Sequence, residues 1–329
     1  MRNRLIQSMV LVFSALLGTF SSAAAWAQTG DYPAKPIKIV VTFPPGGSSD
    51  AIVRILSTRL NEKLGQPLVI DNRPGAGGNI GLSVVAKSAP DGYVLGVGAA
   101  GGLTANVSLY PQMPFDVAKD FMPITMLAAI PFVLVGHPSV PADNIQQLIA
   151  YAKSQAGKVS IGHGGNGTAM HLSTALFTQM ADLKLIEVPY RGSGPAAMDT
   201  LSGQIQLSIT DLAAALPHIK AGKLKAFAVT SPKRLSNLPD VPTLAESGLT
   251  GYDSTGWFGL VAPAGTPASI IQRLNAEFTA ALNDEGIKSQ MRQNGMEPVP
   301  TTTEGLDAYI KSETQKWGRV IRQANIKLN

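Results

Sequence analysis

The chain has 329 residues, of which 45% are hydrophobic and only 15% are charged, so a largely disordered protein is excluded. Because cysteine is absent, disulfides, thiolate metal sites and cysteine nucleophiles are excluded as well. The net charge of +5 is weak and scattered, without basic clusters interleaved with aromatic residues, which argues against nucleic acid as a partner.

The N-terminal segment has the pattern of a secretory signal peptide. Arg2 and Arg4 precede an apolar run, and Ala25-Trp26-Ala27 provides the small-x-small sequence that signal peptidase recognises. The apolar run has roughly 12 residues, whereas a helix needs about 20 to span a bilayer. We therefore predict a signal peptide over residues 1–27, with cleavage after Ala27 and export of the mature chain.

The segment after the signal peptide alternates short β-branched runs with amphipathic helices. The predicted strands cover residues 37–43, 68–71 and 93–98, and the predicted helices cover 50–64 and 79–87. This alternation is typical of an α/β domain with a mostly parallel sheet.

An apolar extended stretch over residues 123–136, interrupted by Pro131, indicates a crossing into a second domain. The alternation then restarts, with predicted strands over 159–162, 186–190, 206–210 and 224–230, and with predicted helices over 144–156, 168–180 and 212–221 and near Pro195. A second apolar strand over 255–263 indicates the return. We predict a domain of residues 28–129 plus 252–329 and a domain of residues 130–251.

Two long helices are predicted at the C-terminal end, without a strand between them. Thr266 is the predicted N-cap and Pro267 the predicted first residue of a helix that ends at 283. Thr301 and Glu304 fit a capping box for the last helix. We expect both helices to pack on the first domain.

Glycine is concentrated where predicted strands lead into helices. The three loops are FPPGGSSD (43–50), GHGGNGT (162–168) and RGSGP (191–195). Glycine allows close approach of backbone to a ligand, and the first N–H groups of a helix form a natural anion site. Because ligands bind at the carboxyl ends of strands in open α/β sheets, the three loops predict one anion-binding cleft.

An exported enzyme is the alternative. Gly162, Gly164 and Gly167 form a G-x-G-x-x-G pattern with Glu187 twenty residues later, as in a nicotinamide-dependent oxidoreductase. Hydrolase and phosphate-loop motifs are absent, and the four histidines have no metal-ligand spacing, so we predict no catalytic residue and no metal. His163 lies in the glycine loop and is a candidate ligand contact. For Asp50 the sequence favours a helix N-cap, and for Asp211 it leaves an N-cap and a ligand contact open.

Six segments of the mature chain are the most specific. They are YPAKPIKIVVTFPPGGSSD, VIDNRPGAGGNIG, SAPDGYVLGVG, PFDVAKDFMPIT, SIGHGGNGTAMHL and VPYRGSGPAAMDTLSGQIQ. In combination they resemble the Bug family, the periplasmic substrate-binding proteins of tripartite tricarboxylate transporters. The resemblance covers essentially the whole mature chain.

This resemblance implies a two-lobed α/β fold of the Venus flytrap type, each lobe a mostly parallel sheet flanked by helices. It implies a monomeric periplasmic protein that binds a small carboxylate in the cleft, without a cofactor, and delivers it to the membrane permease subunits of the transporter. The ligand-binding residues carried over are Phe43, Gly46, Gly47, Ser48 and Ser49 from the first domain, and Gly164, Asn166, Thr168, Tyr190 and Gly192 from the second. The family often has an acidic residue near Gln206, where this chain has an amide.

Overall fold

The computed structural model describes residues 32–155, 157–323, 326 and 327. The predicted signal peptide, residues 1–27, lies outside this range. All elements given below belong to one unit that begins at Lys35. Among the helices of this described range, none is both long enough and apolar enough to cross a membrane.

The first part of the chain contributes four strands and four helices. In chain order they are β1 (Ile37–Val41), α1 (Ser48–Leu64), β2 (Leu68–Asn72), α2 (Asn79–Ala86), β3 (Val94–Ala99), α3 (Asn106–Leu109), α4 (Val117–Asp120) and β4 (Phe121–Ile130). A turn of π-helix, Gly101–Ala105, leads into α3.

The middle of the chain builds the second sheet. Its elements are β5 (Phe132–Gly136), α5 (Ile145–Ser154), β6 (Ser160–His163), α6 (Ala169–Met180), β7 (Ile186–Pro189), α7 (Ser193–Leu201), β8 (Leu207–Asp211), α8 (Leu212–Lys220) and β9 (Lys225–Val229). The chain then returns to the first sheet through β10 (Gly256–Pro263), α9 (Ala268–Asn283), α10 (Glu285–Gln293), β11 (Glu297–Pro298) and α11 (Thr303–Gln323).

The two sheets are mixed, which corrects the prediction of mostly parallel sheets. The first has the strand order β11-β4-β10-β3-β1-β2 and the second β7-β6-β8-β5-β9. The strands that enter from the other sheet lie antiparallel to their neighbours, β10 against β3 and β4, and β5 against β8 and β9. Parallel strands are usually joined by a crossover helix, and no helix of the described chain directly precedes β5 or β10.

The core of each lobe lies between its sheet and helices. In β1 all residues except Lys38 are buried, as expected for a strand that is covered on both faces. Helix α1 buries Ile52, Leu56 and Leu60, which recur at helical spacing. It ends at Gly65, whose left-handed backbone (φ 68°) lets its N–H bond the Asn61 carbonyl.

The C-terminal segment differs from the prediction in three ways. Helix α10 and strand β11 lie between the two long helices, and Asp284 caps α10 by accepting hydrogen bonds from two backbone N–H groups. Thr266 does not cap α9, because its hydroxyl donates to the Pro263 carbonyl and Pro267 takes the N-cap position. At α11 the N–H of Gly305 bonds Thr302, so the capping threonine is one residue later than predicted.

The crossings between the sheets are short. A single residue, Pro131, separates β4 from β5, so the chain leaves one sheet and enters the other without a loop. On the return, the Ser254 N–H donates to the Thr230 carbonyl, and the Thr230 N–H donates to the Phe132 carbonyl. The two crossings therefore lie next to each other, beside the last residue of β4 and the first residue of β5.

Candidate functional site

Two of the three glycine loops line one cavity between the sheets, named here the first cavity, with a volume of about 180 Å³. The loop before α1 contributes Phe43, Gly46, Gly47, Ser48 and Ser49, and the loop before α7 contributes Arg191, Gly192, Ser193 and Gly194. From the remaining loop only its last residue, Thr168, reaches this cavity. The predicted convergence of loops therefore holds for two of them.

Two of the helices that begin at the first cavity, α1 and α7, lack side-chain caps. Gly47 precedes α1 and Gly192 precedes α7, and neither helix start has a capping side chain. In contrast, α5, α6 and α8 are capped by Asn144, Thr168 and Asp211. The first N–H groups of a helix have no acceptor within it and carry partial positive charge. Two such sets, one from each lobe, line the same cavity and offer the kind of donors that anions accept.

Asp50 holds the loop before α1 in place through a hydrogen bond to its backbone. It lies inside the first turn of the helix, so the predicted N-cap role is wrong, and Gly47 occupies that position. Its carboxylate accepts from Gly46 N at 3.1 Å, from Arg54 Nε at 2.8 Å and from Asn72 Nδ2 at 3.3 Å. Burial raises the pKa of Asp50, but these hydrogen bonds outweigh it and hold the pKa below its ordinary value.

Asp211 has one of the two roles that the sequence left open, the helix N-cap, and it also lies at the first cavity. It is the N-cap of α8, where its Oδ1 accepts from Ala214 N at 3.0 Å, and it also lines the first cavity. Its Oδ2 accepts from the hydroxyls of Ser48 and Ser193, each at 2.8 Å. Because Ser48 belongs to the first lobe, this carboxylate links the two lobes.

Three further predicted residues line a second cavity of about 510 Å³. Gly164, Asn166 and Tyr190 belong to it, together with the glycine segment 75–78 of the first lobe. The residues common to both cavities are Phe43, Pro44, Thr168 and Arg191. The hydroxyl of Tyr190 donates to Asp199 Oδ2 at 2.7 Å, and burial and this partner raise its pKa to about 12.

His163 lines neither cavity and is buried behind the loop, which argues against the predicted ligand contact. Its Nδ1 accepts from Gly165 N at 3.2 Å, and His171 Nδ1 accepts from Gly167 N at 3.4 Å. Both Nε2 atoms face Glu187 Oε2, at 3.6 and 3.7 Å. The two imidazoles therefore support the loop through its backbone amides, and neither of them lines the two cavities.

The same three side chains form a cluster that the sequence spacing did not reveal, since their ligand atoms lie within 4.8 Å of one another. A neutral ring that accepts at Nδ1 carries its proton on Nε2, so this tautomer leaves no free nitrogen for a metal. Burial lowers the pKa of His163 to about 3, with a contribution from His171, and lowers that of His171 to about 4. Burial raises the pKa of Glu187.

The geometry of this loop does not support the dinucleotide alternative. Thr168 caps α6 with its own side chain, so the helix start that would receive a pyrophosphate is already occupied. Glu187 faces the histidines instead of an open strand end. Gly162 is explained by packing, because a Cβ there would lie 2.5 Å from Ile205 Cδ1.

The sequence reasoning missed the apolar part of the first cavity. This wall consists of Ala99, Ile130, Phe132, Met170, Trp257 and Phe258. Several of these residues lie at the two crossings that the sequence predicts. The position of these crossings was therefore the signal that could have identified this wall. Ser193 was also missed, although its loop was identified.

The comparisons with known proteins agree with this architecture. A family model described as tripartite tricarboxylate transporter family receptor matches residues 52–326. Protein BugT of Bordetella pertussis is 38% identical over 318 residues, which cover 95% of this chain and 98% of that protein. Fold and cavity are those of a solute-binding protein of the periplasmic class. The chain belongs to the tripartite tricarboxylate transporter receptor family, which confirms the predicted resemblance.

Two solved structures of relatives contain a carboxylate. R. palustris Rpa4515 with adipate is 36% identical, has a TM-score of 0.87, and the match covers 90% of this chain and 99% of that chain. MatC from Rhodopseudomonas palustris with bound malate is 31% identical, with a TM-score of 0.83 and coverage of 88% and 100%. These similarities confirm the predicted two-lobed fold.

Proposed function

We propose that this protein captures a small carboxylate in the first cavity and delivers it to the permease subunits of a tripartite tricarboxylate-type transporter. The observation that carries the proposal is the pair of uncapped helix starts at Gly47 and Gly192, which line the same cavity. Their N–H groups suit a carboxylate, and Arg191 adds positive charge at the rim. The adipate and malate in two relatives support this ligand class.

The proposed ligand contacts divide into two groups. Phe43, Gly46, Gly47, Ser48, Ser49, Thr168, Gly192 and Asp211 would surround the ligand in the first cavity. Gly164, Asn166 and Tyr190 would border the second cavity, through which the ligand or ordered water would connect to solvent. We propose no catalytic residue and no cofactor, because recognition by many neutral hydrogen bonds suits capture and release.

The protein is proposed to act as an exported monomer with two domains, residues 28–129 plus 252–329 and residues 130–251. The short crossings at Pro131 and near Ser254 support these boundaries. Export requires cleavage after Ala27, which intact mass of the periplasmic protein tests. A species that retains Arg2 and Arg4 would contradict cleavage, and light scattering would test the monomer.

The carboxylate proposal is tested by thermal unfolding against a library of mono-, di- and tricarboxylates. A ligand at 100 times its Kd should stabilise the folded protein by about 2.7 kcal/mol. Hits are then measured by calorimetry, and turnover of carboxylate esters is assayed in parallel. Stabilisation by no member of the library would contradict the proposal, and turnover would favour the enzyme alternative.

A further inference from the structure

The polar side chains of the first cavity meet at one buried carboxylate. Asp211 is 3% exposed, and Ser48 and Ser193 are each 5% exposed. Oδ2 of Asp211 accepts both serine hydroxyls, and Oδ1 accepts the Ala214 amide. These donors are all neutral, so they solvate the negative charge without compensating it as a cation would.

The hydroxyl hydrogens of Ser48 and Ser193 are already engaged in hydrogen bonds to Asp211. A serine hydroxyl has one hydrogen and two lone pairs, and an ionised carboxylate can only accept. Because Ser48 and Ser193 donate to Asp211, their oxygens present only lone pairs to the cavity. A plain carboxylate oxygen placed against them would therefore meet acceptors.

The same two serines also supply hydrogen-bond donors, through their backbone N–H groups. Ser48 is the first residue of α1 and Ser193 is the first residue of α7, so their amides are among the N–H groups at the two uncapped helix starts. Each of these serines thus offers a backbone N–H group as a donor for a ligand carboxylate and a side-chain oxygen as an acceptor for a neighbouring group of the ligand. The substituent next to the ligand carboxylate would lie against the serine oxygens.

We infer that the first cavity selects carboxylic acids that carry a hydrogen-bond donor beside the carboxylate, with an ammonium group favoured over a hydroxyl. The inference rests on the proposed function, because it narrows the ligand class of the same cavity. An ammonium group satisfies the serine oxygens and also compensates the buried charge of Asp211, whereas a hydroxyl does only the first. An unsubstituted acid does neither.

The test is calorimetry with acids that differ only at the carbon beside the carboxylate. The sets are propionate, lactate and alanine; succinate, malate and aspartate; glutarate, 2-hydroxyglutarate and glutamate; and 3-phenylpropionate, phenyllactate and phenylalanine. In the set that binds best, we expect the amino acid to bind at least tenfold more tightly than the unsubstituted acid. The hydroxy acid is expected between them.

Asp211→Asn is the diagnostic variant. The asparagine oxygen keeps the cap of α8, while its NH₂ group donates to the serines and turns their hydrogens towards the cavity. The preference for the amino acid should shrink at least tenfold or reverse. Asp182→Asn is the matched control, since the Asp182 side chain is 98% exposed, and it should keep the preference.

Ser193→Ala serves as a second variant, because it removes one acceptor and leaves the cap bond to Ala214 intact. It should reduce the preference by less than Asp211→Asn does. Equal or tighter binding of the unsubstituted acid by the unmodified protein would overturn the inference and leave carboxylate capture standing. An Asp211→Asn variant that folds and keeps the preference would also overturn it. Binding in none of the sets would contradict the proposed function itself.

Discussion

Gly47 lies on the wall of the first cavity in ordinary extended backbone, with φ −84° and ψ 174°. Any residue can adopt these angles, so glycine is not needed there for conformation. The nearest atom to an added Cβ would be the Pro44 carbonyl oxygen at 3.9 Å. A side chain at this position would therefore fill the cavity instead of straining the fold.

The substitution Gly47→Val should weaken carboxylate binding at least tenfold, about 1.4 kcal/mol, because its methyl groups would keep the ligand from the helix N–H groups. Arg191→Gln should weaken binding less, since it removes one cation at the rim and no backbone donor. Calorimetry on both variants measures the two losses. A larger loss for Arg191→Gln would mean that an ion pair, and not the helix starts, dominates recognition.

The individual site residues differ in how far the sequence could predict them. Gly47 and Ser48 were predictable, because a glycine pair followed by serines at a strand-to-helix junction is typical of a loop that binds an anion. The bond between Ser48 and Asp211 joins residues 163 positions apart, and only the folded chain brings them together. His163 lies outside both cavities, which the sequence could not indicate, because a glycine loop has two faces and its sequence does not say which one a side chain occupies.

At the scale of elements, the loop between β6 and α6 depends on two neutral imidazoles. His163 and His171 hold the amides of Gly165 and Gly167, and their rings lie 4.9 Å apart between centroids. Protonation would place two positive charges side by side and would remove the Nδ1 acceptors. The folded state therefore favours the neutral rings, in line with their pKa values of about 3 and about 4.

Stability should therefore fall as the pH is lowered from about 6.5 towards 4. In this window the unfolded chain, with ordinary histidine pKa values, binds protons that the folded protein excludes. Each histidine contributes a slope of up to about 1.4 kcal/mol per pH unit. Glu187 opposes this loss of stability near the lower end of the pH range, because its raised pKa makes the folded state bind a proton there.

Urea unfolding at a series of pH values measures the effect, with His137→Gln as the control because His137 is only half-buried and lies outside this loop. The double variant His163→Gln, His171→Gln should show a shallower dependence on pH between 6.5 and 4. A slope unchanged by the double variant would mean that other groups cause the loss of stability.

Most long elements were predictable, and the exceptions have physical reasons. The helices α1, α6 and α9 carry enough apolar residues at helical spacing for the sequence to indicate the buried face of each helix. Helices α3 and α4 have four residues each, too few for a period to emerge. The antiparallel entry of β5 and β10 follows from topology, about which a local apolar run carries no information.

At the scale of the whole molecule, the lobes also contact each other through backbone at Gly77 and Gly101 of the first lobe. A Cβ on Gly77 would lie 2.9 Å from the Asn166 carbonyl oxygen, and one on Gly101 would clash with the Gly167 carbonyl. Leu172 of α6 belongs to one buried apolar cluster with Leu109 and with Trp317 of α11. These contacts hold the two lobes together, and opening at a hinge beside the crossings would break them.

Gly101→Ala should shift the protein towards an open form, because its methyl group would act as a wedge against the Gly167 carbonyl. We expect a larger radius of gyration by small-angle scattering and ligand binding weakened at least tenfold. Val107→Ala, which changes an exposed side chain in the next helix, should alter neither. Unchanged scattering and unchanged binding in Gly101→Ala would contradict closure through this contact.

The two tryptophans of the mature chain would report closure at different places. Trp257 lines the first cavity, so a ligand changes its surroundings by direct contact. Trp317 does not line that cavity, but it packs with Leu172 of the other lobe, so its emission should change only when the lobes move. In a Trp257→Phe variant we therefore expect saturating ligand to shift the Trp317 emission, and in Trp257→Phe combined with Gly101→Ala we expect a smaller shift. If calorimetry shows binding while the Trp317 emission stays constant, the lobes do not move apart along α6, and the ligand enters through the second cavity without hinge opening.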